Sequence, residues 1–139
     1  MALESFCYPP FIFNVLSDSM RFVSLFPPTE LGVLLDVGHL HQAKFSLDEA
    51  VQILKYRLFD VHVHDAIQQK DFHKATHLPI GKGSIDFAHL IAMLRQVEYN
   101  GWLTLEIHGN KTEIVKSKNF SENLMNKNAV EVLRIQTKV

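Results

Sequence analysis

Hydrophobic and polar positions follow two rhythms along the chain. Four short, mostly apolar runs, residues 1–6, 32–39, 58–65 and 102–108, predict strands. Between them the apolar spacing lengthens to that of a helix. Val15, Leu16, Ser19, Phe22, Val23 and Phe26 recur at helical intervals between Pro9-Pro10 and Pro27-Pro28, which bound the segment. Ser46 and Glu49 have the spacing of a capping box, each side chain placed to satisfy the other's backbone donor, ahead of a stripe of Leu47, Ala50, Val51 and Leu54. Residues 66–84 are polar and predict a loop; Asp86 then caps a helix that buries Phe87, Leu90, Ile91, Leu94 and Val97, and Asn100-Gly101 ends it. The Lys- and Asn-rich residues 109–119 predict a further loop, followed from about Ser121 by a helix with Leu124, Ala129, Val132 and Leu133. Consecutive parallel strands need a crossover, so this alternation predicts an α/β fold of four parallel β-α units. No linker or low-complexity segment divides residues 1–139, which read as one domain.

Side chains alternate across a strand, so each run splits into two faces by parity. Val33, Leu35 and Val37, then Phe59, Val61 and Val63, then Leu103, Leu105 and Ile107 make apolar faces suited to packing under helices. The opposite faces carry ionisable groups, and the four strands present Glu4, Asp36, His62 and Glu106 to one interior. Each of these alone reads as an ordinary polar group. As a set they differ, because buried carboxylates are costly without a cation. Three oxygen donors and one imidazole suit a divalent ion such as Mn²⁺, Mg²⁺, Co²⁺ or Zn²⁺.

Composition narrows the partners. The 139 residues hold 14 Lys+Arg against 15 Asp+Glu, a formal net charge of -1, which disfavours a nucleic-acid partner. The single cysteine, Cys7, cannot form an intramolecular bridge, and no basic-apolar leader or long apolar span is present. The expectation is a cytoplasmic protein without a membrane segment. Eight histidines are many for this length, and five of them lie between His62 and His89.

The strings Leu-Leu-Asp36-Val-Gly-His39, Val-His62-Val-His64-Asp65, His77-Leu-Pro-Ile-Gly81-Lys-Gly83-Ser-Ile-Asp86-Phe and Tyr99-Asn-Gly-Trp-Leu-Thr-Leu-Glu106 resemble the xylose-isomerase-like TIM-barrel superfamily. That group includes sugar (phosphate) isomerases and epimerases and the endonuclease IV type of abasic-site nuclease. The resemblance implies one divalent metal on Glu4, Asp36, His62 and Glu106, which match the family's ligands on barrel strands five to eight. It also implies Glu4 and Glu106 as proton acceptor and donor beside a metal-polarised sugar, with His39, His64 and His77 as substrate contacts. His64 has the alternative of simply ending its strand in water, and Asp65 that of capping or orienting the following loop. In the nuclease, the counterparts of His39 and His77 bind further metals. An Asp stands there two residues before the second His, where this chain has Ala75; Asp71 and His73 have the right spacing but lie four residues too early. Gly81-Lys-Gly83 reads as a turn.

A full barrel has eight β-α units in about 250 residues. Four units correspond to its last half, whose open edges and apolar interior predict a homo-oligomer, with a two-fold dimer able to close eight strands. The function expected is therefore that of a metal-dependent sugar or sugar-phosphate isomerase or epimerase. The alternatives are an abasic-site phosphodiesterase and a non-catalytic half barrel acting as an assembly module.

Overall fold

The computed structural model describes residues 1–5, 15–68, 76–126 and 134–137. Its strands are β1 (Ala2–Ser5), β2 (Gly32–Asp36), β3 (Leu58–Val63), β4 (Trp102–Leu105) and β5 (Arg134–Thr137). Its helices are α1 (Leu16–Val23), α2 (Val37–Gln42), α3 (Leu47–Leu54), α4 (Phe87–Gln96) and α5 (Lys111–Asn126). All five strands are parallel and lie in chain order. When each new strand is added on the same side, right-handed crossovers put every helix on one face and leave the other as an interior.

Burial follows the parity of the strands. Val33, Leu35, Val61, Val63, Leu103 and Leu105 are buried, forming one apolar core with Val23, Val51 and Leu54 and with Leu90 and Leu94 of α4. Asp86 caps α4 as predicted, its Oδ1 accepting from the His89 amide at 2.9 Å, while of the expected box only one half forms among the described residues, Ser46 Oγ accepting from the Glu49 amide at 3.3 Å.

Four expectations are corrected. The run 32–39 is not strand throughout, because β2 stops at Asp36, whose side chain caps α2; the chain turns helical at once. Helix α4 ends before Asn100-Gly101. Glu98 takes a left-handed φ of 55°, and the Glu98 and Tyr99 amides donate to the carbonyls of Arg95 and Leu94, which closes the helix without glycine. Residues 109–119 are mostly helix: Asn110 and Glu113 cap each other reciprocally at 3.0 and 3.1 Å and start α5 ten residues before Ser121. Leu124 is in that helix, while Ala129, Val132 and Leu133 lie outside the described residues. Finally, the sheet gains β5, whose backbone pairs Trp102 with Arg134 and Leu105 with Thr137. Among the described residues no helix is long and apolar enough to cross a membrane.

Candidate metal centre

The interior face carries the ionisable groups. Register places Glu4 beside Leu34 and Asp36 beside His62, and Glu106 follows directly on β4, its amide donating to the Val63 carbonyl at 3.2 Å. Glu4, Asp36, His62 and Glu106 each offer one donor atom, and the four atoms lie within 4.8 Å of one another. His62 Nδ1 is 2.8 Å from Glu106 Oε2 and 3.8 Å from Asp36 Oδ2.

Asp36 is fully buried. Its Oδ1 accepts the His39 amide at 2.8 Å and lies 2.9 Å from His64 Nε2. Burial opposes the charged carboxylate, but His64 and His39 overcome it and hold the pKa down to about 2. Oδ2 of Asp36 and Nδ1 of His62 are buried and make no hydrogen bond among the described residues.

Beside this set stands a wall of histidines. The His64 and His77 rings stack at 4.2 Å, His77 and His108 at 4.6 Å, and His39 meets His64 and His77 edge-on at 5.5 and 5.3 Å. Asp36, His39, His64 and His77 form a second group whose donor atoms also lie within 4.8 Å. Burial lowers the pKa of His39 against the pull of Asp36, and burial together with His64 pushes His77 down to about 4. For His64, burial disfavours charge and Asp36 outweighs it, raising the pKa.

Local sequence explains these placements. A Cβ on Gly38 would fall 1.7 Å from His64 Cε1, so only glycine in the Asp36-Val-Gly-His39 string admits the ring. Asp65 is buried and gathers the loop that follows. Its Oδ2 accepts the Gly81 and Gly83 amides at 2.9 and 2.8 Å, and its Oδ1 those of Ala66 and Ile85 at 2.9 and 3.2 Å. The loop in turn presents His77, whose φ of 55° is a strained conformation for a side-chain-bearing residue. Gly81-Lys-Gly83 is thus a turn built around a carboxylate.

The structure brings Glu4, Asp36, His62 and Glu106 together and sets His39, His64 and His77 alongside. Asp71, His73 and Ala75 lie outside the described residues. His108 was missed as a member of the wall, although it shares the parity of Glu106; the strand stops at Leu105, so alternation alone did not fix its direction. The donor set fits a divalent cation. Donors around an ion at about 2.1 Å stand roughly 3–4 Å apart, and among the described residues buried Asp36 Oδ2, His62 Nδ1 and His64 Nε2 make no hydrogen bond.

Fold and site together place the chain in a family: it belongs to the xylose isomerase-like TIM barrels, whose family model matches residues 2–133. An uncharacterized protein of Methanocaldococcus jannaschii is 32% identical over 90 residues, 63% of this chain and 29% of that protein. Among solved structures, a D-tagatose 3-epimerase-like protein superposes with a TM-score of 0.74 at 26% identity, over 91% of this chain and 46% of that one. The 3-keto-D-glucoside 4-epimerase of E. coli superposes at 0.67 with 21% identity, over 88% of this chain and 45% of that one. An IolI protein with a bound zinc atom also gives 0.67, at 17% identity, over 88% and 46%. The last two likenesses are of fold alone. The chain spans just under half the length of these structures and corresponds to half a barrel.

Proposed function

We propose that this chain carries the metal-binding half of a sugar isomerase or epimerase, acting on a ketose or a ketose phosphate. The observation that carries the reading is the convergence of Glu4, Asp36, His62 and Glu106 on the interior face, with buried atoms of Asp36 and His62 that make no hydrogen bond among the described residues. Family membership and the likeness to an epimerase-like protein support it. One divalent ion, Mn²⁺, Mg²⁺, Co²⁺ or Zn²⁺, would supply Lewis acidity when bound.

The chain's own residues would move the proton. Glu4 on β1 and Glu106 after β4 come from opposite ends of the four-strand arc. One carboxylate takes the proton from the carbon next to the sugar carbonyl and the other returns a proton to the opposite face, inverting that carbon with no net change in protons. His39 and His77, neutral at pH 7 because burial lowers their pKa values, would hydrogen-bond sugar hydroxyls. The reading includes self-association, since β1 pairs only with β2 among the described residues and so offers an edge to a second copy.

Incubating the ion-loaded protein with ketoses and their phosphates in D₂O, followed by mass spectrometry, tests the reaction. Deuterium entering one carbon-bound position is the expected result, with Glu106→Gln abolishing it. Uptake of an ion with no exchange on any sugar would overturn the reaction for this chain, and failure to bind any of the four ions would overturn the centre itself.

A further inference from the structure

We propose that His64 is a positioning residue for Asp36: its Nε2 edge, 2.9 Å from Oδ1, pairs with that oxygen electrostatically and leaves Oδ2 to the group of Glu4, His62 and Glu106, and His64 does not itself bind an ion. The proposal rests on the metal reading above and deepens it. It also decides between the two donor groups, because His64 belongs to the second one, with Asp36, His39 and His77.

Whether His64 can ligate depends on which ring nitrogen holds the proton. The His77 amide donates to His64 Nδ1 at 2.9 Å. A backbone N–H is always a donor, so in the neutral ring it requires a lone pair on Nδ1. The ring's hydrogen then sits on Nε2, and a protonated nitrogen cannot ligate. The Asp65 carbonyl, 3.2 Å from the same Nδ1, would be the acceptor for the opposite tautomer, but that tautomer would aim two hydrogens at each other. Nε2 faces Asp36 Oδ1 at 2.9 Å, an ion-pair approach without hydrogen-bond alignment among the described residues.

With the His39 amide on the same oxygen, Oδ1 is approached from two sides and Oδ2 is left buried, 3.8 Å from both His62 Nδ1 and His39 Nε2. Partners of this kind, which orient a ligand without binding the ion, are commonly worth 10–100-fold in metal affinity. Gly38 makes room for the ring, and the Asp65-centred loop supplies the amide that sets its tautomer. Three motifs of the sequence therefore meet on one carboxylate.

Two measurements test the proposal. Long-range ¹H–¹⁵N NMR of the metal-free wild-type protein reads the His64 tautomer directly, and a hydrogen on Nε2 is expected; a neutral ring with its hydrogen on Nδ1 would overturn the assignment. Calorimetric titration with Zn²⁺ and Co²⁺ should show one ion per chain. His64→Ala should bind it 10–100-fold more weakly, and His64→Gln, which keeps an N–H donor, should recover part of the loss. In an Asp36→Asn background His64→Ala should bring no further loss, because the two act through one group. Two independent penalties would overturn the proposal. So would two ions per chain with one lost in His64→Ala, which would make His64 a ligand. If no ion binds at all, the metal reading falls with it. If an ion binds and the tautomer is wrong, only the role of His64 falls.

Discussion

Asp65 does more than its place in the string after His62 announces. One buried carboxylate accepts four backbone amides, three of them from residues 81–85, so a single side chain gathers much of the turn that follows His77. Replacing it by alanine removes the acceptor shared by those four amides. Asp65→Ala should lower stability by about 3 kcal/mol and release hydrogen-exchange protection across residues 76–85, a change that urea titration and exchange mass spectrometry would register together. Gly38→Ala should cost about 1–3 kcal/mol through overpacking and displace the His64 ring resonances, since the new methyl falls inside the ring. At this scale the sequence was readable where alternation governs: Asp36, His62 and Glu106 follow from parity. The interplay of His64, Gly38 and Asp65 was not, because their contacts cross from β3 to α2 and the following loop and no period along the chain encodes them.

Helix ends carry the main differences between expected and observed elements. β2 and α2 share Asp36, because a side chain able to cap a helix sits where a strand's apolar rhythm was still running. Leu-Leu-Asp-Val-Gly-His therefore reads as one strand although it is strand and cap together. Helix α4 closes on a left-handed glutamate, a conformation that favours glycine, so Glu98→Gly should raise stability by about 0.5–1 kcal/mol in a denaturant titration. Between α3 and α4, His89 Nε2 lies 3.0 Å from Asp48 Oδ2. Hydrogen bonding to Asp48 raises the His89 pKa above its ordinary 6.5, and the same bond lowers that of Asp48 below 3.8. The pair's contribution is present between about pH 4 and 6.5. It is lost as the pH rises through the raised His89 value, and on the acid side as it falls through the lowered Asp48 value. His89→Ala should flatten the urea midpoint against pH between 6 and 8; an unchanged slope would mean that solvent screens the pair completely.

Across the whole molecule, strand-helix alternation was enough to predict a parallel α/β sheet with one helix-covered face and one polar interior. The fifth strand escaped notice because Arg134–Thr137 is short and follows a segment read as helix. Binding an ion only in the folded state couples it to stability. Free Zn²⁺ or Co²⁺ at a hundred times its dissociation constant should stabilise the chain by about 2.7 kcal/mol, visible as a higher melting temperature that EDTA reverses. The strands lie in the order in which they occur, so each new β-α unit can dock onto the one made before it as synthesis proceeds. The donors are shared out along that same order, from Glu4 on the first strand to Glu106 after the fourth. On the proposed reading, a partly emerged chain would offer only part of the donor set, and tight capture of an ion would wait until the residues after the fourth strand are in place, making the ion a latch on an assembled arc and not a seed for it.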